Sequence, residues 1–142
     1  MSDRQLPGTI RWEDGNLYLL DQRQLPNSVE YLHIENADDA WHAIKTLAVR
    51  GAPAIGIAAA YGLAVAMRDV SGNQFLEQLQ RQTEYLKSAR PTAVNLAWAV
   101  DRLNHAASRD PSYTALVREA QAIHAQDRAI CAAIGAHGAS LI

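Results

Sequence analysis

The chain has 142 residues, of which 49% are hydrophobic, 6% aromatic and 20% charged. That length suits one compact domain, and the composition excludes a wholly disordered chain. Thirteen Lys and Arg against fifteen Asp and Glu leave a net charge of −2, so the basic excess of a nucleic-acid binder is missing and no such partner is expected. The single Cys131 excludes an internal disulfide and a zinc ribbon, and it favours a reducing compartment, read here as the cytoplasm.

The start, Met1 to Gln5, is polar with no apolar stretch behind it, which argues against a secretory signal. Thr9 to Glu13 and Leu17 to Leu20 read as strands around Asp14-Gly15-Asn16, a strong hairpin signal. Val29 to Ile34 reads as a third strand. Helices follow. Asn36 is a good N-cap, with Asp38 and Asp39 in the first turn facing the positive end of the helix dipole. The spacing predicts a helix over 37–49 that buries Trp41, Ile44, Leu47 and Ala48. Gly51 ends it, and Pro53 opens a second helix reaching about Met67. Phe75, Leu79 and Leu86 mark a third, and Ser88-Ala89-Arg90-Pro91 breaks the chain. A fourth helix is expected over 92–107, with Pro91 at its first position. Asp110-Pro111 reads as an N-cap and first residue of a long last helix, whose stripe of Leu116, Ala120, Ile123, Ile130 and Ile134 is interrupted only at Asp127. Gly135 and Gly138 are expected to fray its end. The closing run Ala139-Ser140-Leu141-Ile142 is apolar with no polar tail, and reads as chain about to enter a further element such as a strand.

No residue between Arg50 and Arg68 is charged, and ten of those seventeen positions are Gly or Ala. A spanning helix needs about 20 strongly apolar residues, so the segment reads as a helix buried on all sides of a domain, and no membrane partner is expected. Gly51 to Gly56 matches the glycine spacing of a P-loop, but Ile57 stands where the phosphate-binding Lys belongs. His33, His42, His105 and His137 form no metal-ligand spacing, and Cys131 with His124 reads as a small thiol and a boundary histidine. One arrangement points to chemistry. Arg50-Gly51-Ala52 precedes a proline-initiated helix, where unpaired amides and an Arg fork suit an anion, and Arg90-Pro91-Thr92 repeats the design. Two such corners converging would make a phosphate site.

The runs Arg50-Gly51-Ala52-Pro53-Ala54-Ile55-Gly56 and Arg90-Pro91-Thr92-Ala93-Val94-Asn95-Leu96, with Leu19 to Pro26 and Cys131 to Gly135, resemble the methylthioribose-1-phosphate isomerase family of methionine salvage. The resemblance implies a substrate phosphate held by Arg50, Gly51, Ala52 and Arg90. It implies an aldose-to-ketose isomerisation that uses a Cys and an Asp with no metal or nucleotide cofactor, in a homo-oligomer. The family's Thr-His-Cys-Asn strand end does not occur in this sequence, and Cys131 does not fill that role. The resemblance places the family's Cys and Asp beyond Ile142, so no catalytic residue is expected in this chain. The expectation is an α+β, predominantly helical domain: a small three-stranded antiparallel sheet followed by about five helices. It would be the N-terminal domain over 1–142, with strands over about 8–35 and helices over about 37–138, and the Rossmann-like catalytic domain absent. Two related readings stay open: ribose-1,5-bisphosphate isomerase, and a non-catalytic module like the regulatory subunits of the translation-initiation exchange factor.

Overall fold

The computed structural model describes residues 10–21, 30–46, 52–70 and 72–140; of residue 52 and residues 128–140 the backbone is described. Three strands, β1 (Ile10–Glu13), β2 (Asn16–Leu20) and β3 (Tyr31–Ile34), form an antiparallel sheet in the order β1-β2-β3. Asp14 and Gly15 both take positive φ, 53° and 79°, as a two-residue turn with the right-handed twist of its strands requires. The turn aligns Glu13 with Asn16, which pairs Ile10 with Leu19; β3 adds Ile34 opposite Leu17. Period-two alternation thereby puts Ile10, Leu17, Leu19 and Ile34 on one buried face. Tyr18 and His33, paired across the other face, stack at 4.9 Å.

Five helices follow among the described residues: α1 (Ala37–Lys45), α2 (Ala52–Ala66), α3 (Phe75–Lys87), α4 (Val94–Arg109) and α5 (Tyr113–Ser140), with a short 3-10 turn over Gly72–Gln74 before α3. The fold is α+β and mainly helical, as the sequence predicts. Asn36 caps α1 by accepting the Asp39 N–H at 2.8 Å, and the Asp39 carboxylate accepts the Glu35 N–H at 3.1 Å. The buried face of α1 is Ala40, Ala43 and Ile44. Trp41 is only half-buried, on the flank, where its Nε1 donates to Ser88 Oγ at 2.9 Å. Leu47 and Ala48 lie outside the described residues.

The centre of the domain is α2. Every residue from Ile55 to Val65 is buried, and α2 packs on the other four helices and on β1 and β2. Small residues permit this. A Cβ on Gly56 would stand 2.8 Å from the Asn95 carbonyl oxygen of α4, and one on Gly62 would stand 2.7 Å from the Ala40 Cβ of α1. Within this core Tyr61 stacks on Trp12 at 5.0 Å, and its hydroxyl lies 2.9 Å from His124 Nδ1 of α5. No described helix is long and apolar enough to cross a membrane.

Several helix ends differ from the sequence reading, beginning with α1, which stops at Lys45 with Thr46 as its C-cap and not at residue 49. Pro91 and Thr92 belong to a turn, and α4 begins at Val94 with Ala93 extended before it. Asp110 closes α4, and Ser112 caps α5 by accepting the Ala115 N–H at 3.1 Å. A proline at the first helical position is a local preference, set by its fixed φ and missing N–H; at both corners the chain first has to turn between packed helices. Finally, α5 runs through Gly135 and Gly138 to Ser140, because a glycine costs a helix interior only about 1 kcal/mol. The strand expected to open near Leu141 and Ile142 falls on residues outside the described ones; α5 is still helical at Ser140. Ser112→Ala is accordingly expected to destabilise the fold by about 1 kcal/mol, read as a lower denaturation midpoint, whereas Asp110→Ala should change it less.

Candidate functional site

The two corners singled out in the sequence fare differently. Arg50 and Gly51 lie outside the described residues. Ala52 is the first residue of α2, with Pro53 exposed beside it. Arg90 stands in the turn between α3 and α4, where its carbonyl accepts the Ala93 N–H at 2.9 Å. The N-terminal turns of α2 and α4 meet where Gly56 lies against the Asn95 backbone. The segments that carry Ala52 and Arg90 therefore lead into one helix–helix contact from their N-terminal sides, where unpaired N–H groups and positive dipole ends favour an anion.

Arg90 is half-buried, and its Nη1 is fully enclosed with no hydrogen-bond partner among the described residues. A buried donor left unpaired costs about 1–3 kcal/mol, and more when the group is charged. A guanidinium normally avoids that cost by forking onto a carboxylate or a phosphate. The unmet donor is the main electrostatic anomaly among the described side chains.

Beside this helix contact lies a cleft of about 160 Å3. Pro53 and Ile57 of α2, Asn95 and Trp98 of α4, and Ile123 and Asp127 of α5 contribute to its walls. Trp98 is 52% exposed although it is a large aromatic. Its ring has the Arg102 guanidinium 5.5 Å from its centroid. Arg102 is itself held by Glu119 and by Gln126, the latter at 2.8 Å, so α4 and α5 together hold the indole in place. The sequence reading missed Asn95, Trp98 and Gln126 as site residues. Asp127 did leave a signal there, as the polar break in the α5 stripe.

A second, wider depression of about 590 Å3 is lined in part by Glu35, Asp38, Asp69, Arg81 and Tyr85. Its carboxylates make it the wrong sign for a phosphate. The Tyr85 hydroxyl donates to Asp38 there; that hydrogen bond, then burial, then the carboxylate charge hold the phenol above its ordinary pKa. No group of three His, Cys, Asp or Glu side chains among the described residues is placed to hold a metal ion. His124 is engaged with Tyr61, and the Cys131 side chain lies outside the described ones.

Comparison with known proteins agrees with the motifs. Residues 48–142 match the model of the Initiation factor 2 subunit family, a match that runs to Ile142. The chain is 45% identical over 148 aligned residues to the methylthioribose-1-phosphate isomerase of Geobacillus kaustophilus, covering 99% of this chain and 42% of that one. It is also 45% identical to the 5-deoxyribose 1-phosphate isomerase of Moorella thermoacetica, covering 94% of this chain and 40% of that protein. Among solved structures, the 5-methylthioribose 1-phosphate isomerase of Pyrococcus horikoshii superposes with a TM-score of 0.76 at 34% identity, over 84% of this chain and 36% of that one. Subunit delta of translation initiation factor eIF-2B from A. fulgidus superposes with a TM-score of 0.72 at 38% identity, over 84% and 37% of the two chains. The chain thus spans about two fifths of the length of these relatives, and it belongs to the Initiation factor 2 subunit family, alongside methylthioribose-1-phosphate isomerases.

Proposed function

We propose that this chain is the phosphate-gripping, N-terminal portion of an aldose–ketose isomerase that converts 5-methylthioribose 1-phosphate to 5-methylthioribulose 1-phosphate. The observation that carries this is the enclosed, unpaired Nη1 of Arg90, which a phosphate oxygen would satisfy. Support comes from the N-terminal turns of α2 and α4 meeting at Gly56 and Asn95, the latter five residues after Arg90, and from relatives whose names specify 1-phosphorylated pentoses. Arg50 and the amides of Gly51 and Ala52 would complete the grip, as the family resemblance implies.

The grip has a chemical purpose. A sugar phosphorylated at C1 has no free aldehyde in equilibrium with its ring, so spontaneous isomerisation is blocked. Holding the phosphate fixes C1 and C2 against whatever groups move the proton, which converts an encounter into a positioned, unimolecular step. The enzyme would be cytoplasmic and homo-oligomeric, with its proton-transfer Cys and Asp in a domain beyond Ile142. A regulatory module is the second reading, favoured by the likeness to the eIF-2B subunit of A. fulgidus.

Arg90→Met tests the grip, since it keeps the stem and removes the charge. Loss of charge-assisted hydrogen bonds should weaken inorganic phosphate binding about 10- to 100-fold, from ~1.5–3 kcal/mol. The unliganded variant should be as stable as the parent or more so, because the unpaired buried donor is gone. Phosphate titration followed by NMR, with thermal melts, reads both. A variant that binds phosphate like the parent removes Arg90 from the site.

A further inference from the structure

The turn that carries Arg90 is tied to α1 by contacts that the phosphate grip alone does not call for. The Trp41 Nε1–H of α1 donates to Ser88 Oγ at 2.9 Å, and Ser88 Oγ donates in turn to the Tyr85 carbonyl oxygen at 2.5 Å. The Trp41 ring stacks on the Tyr85 ring at 5.9 Å, with 15° between the planes, and the Tyr85 hydroxyl donates to Asp38 of α1. These contacts close on themselves where α3 ends. Ser88, the C-cap of α3, is exposed. A hydroxyl in such a place can be served by water alone. Here protein groups use it on both sides, two residues before Arg90.

We propose that Trp41 and Ser88 are positioning residues for Arg90: their hydrogen bond fixes the end of α3 to α1 and so holds the guanidinium in the enclosed place where an anion meets it. The inference rests on the phosphate grip proposed above and adds residues that act through Arg90 without touching the anion.

The need for such a tie follows from the enclosed Nη1, which has no hydrogen-bond partner among the described residues. Without an anion, the guanidinium would gain by swinging out to water. An arginine left free to do so has to be ordered again at each binding event, which weakens binding. Local bonds fix the shape of the turn: the Ala89 N–H donates to the Leu86 carbonyl at 3.1 Å, and the Arg90 carbonyl accepts the Ala93 N–H at 2.9 Å. The Trp41–Ser88 bond fixes where that turn sits. Helix α1 lies close against α2, where Gly62 faces Ala40, the residue before Trp41. The turn is thereby located against α2 from two directions, through α4 at Asn95 and Gly56 and through α1 at Trp41 and Ala40.

Phosphate titration of this chain by NMR, with thermal melts and relaxation of the Arg90 Nε–H group, tests the proposal. Trp41→Phe keeps a ring on Tyr85 and removes the donor; Ser88→Ala removes the acceptor. Each is expected to weaken inorganic phosphate about three- to tenfold, less than Arg90→Met does, and to turn a restrained Arg90 Nε–H into a mobile one. Both changes break the same bond, so the double variant should bind no more weakly than either single one. Ser88→Thr, which keeps the hydroxyl, should bind like the parent. Ser112→Ala, which lowers stability at the start of α5, should leave phosphate affinity and Arg90 mobility as they are. If Trp41→Phe and Ser88→Ala bind phosphate like the parent, or leave Arg90 restrained, the positioning role falls while the grip stands. An equal loss of affinity in Ser112→Ala also overturns it, because affinity would then merely follow stability. If the parent fails to bind phosphate, or Arg90→Met binds it as tightly, the grip falls and this inference with it.

Discussion

Incubated with 5-methylthioribose 1-phosphate, this 142-residue chain is expected to yield no detectable 5-methylthioribulose 1-phosphate. Isomerisation must lift a proton from C2 and return one to C1. Each positioned acid or base contributes a factor of typically 10²–10⁴. Asp127 is the titratable side chain among the residues lining the 160 Å3 cleft. The Thr-His-Cys-Asn motif that the family resemblance assigns to proton transfer does not occur in the sequence. Gripping the phosphate without that chemistry holds the ground state and the transition state alike, which does not accelerate the step. Joining residues 1–142 to the portion of the Geobacillus kaustophilus isomerase that this chain does not match should restore turnover, read by the ketose product in NMR. Turnover by the chain alone equal to that of the chimera would overturn the reading and send the search to Asp127, His124 and Cys131. A chimera that binds the sugar yet stays inactive would favour the regulatory reading.

Gly56→Ala is expected to destabilise the protein, against the usual direction. In a helix interior, replacing Gly with Ala ordinarily gains about 0.8–1 kcal/mol. Here the new methyl would lie 2.8 Å from the Asn95 carbonyl oxygen and 3.3 Å from its carbon. Both are backbone atoms at the start of α4, so no rotamer change relieves the clash. Overpacking of this kind costs typically 1–3 kcal/mol, and the net loss should be about 1 kcal/mol or more. For a chain of this length that lowers Tm by roughly 2–5 °C. The same displacement pushes α4 away from α2 at the mouth of the cleft, so phosphate affinity should fall with it. A variant with an unchanged or raised Tm would show that α2 and α4 are less tightly seated than the close approach of Gly56 to Asn95 requires.

Much of this fold is legible without coordinates, because its signals act over a few residues. Asp14-Gly15 demands positive φ at two successive positions and so sets the hairpin register. Asn36 caps α1 through its own side chain. The uncharged, small-residue run after Arg50 reads better as a helix surrounded by others than as a membrane span, and α2 is buried from Ile55 to Val65. The sequence also marks Arg90 as a candidate for the phosphate grip proposed above. The rest depends on contacts between distant residues. Whether α4 begins at Pro91 or at Val94, and whether Asp110 or Ser112 caps α5, is set by how packed helices are joined, and local preferences at those positions differ by only about 1 kcal/mol. The cleft unites Pro53, Trp98 and Asp127, which come from three different helices and share no periodicity. Trp98 reads in sequence as one more apolar helix residue; its half-exposed place under Arg102 exists only once α4 and α5 are side by side. The enclosure that leaves Arg90 Nη1 without a partner among the described residues is likewise a property of the assembled helices, since burial is a sum over neighbours that no short stretch of chain contains.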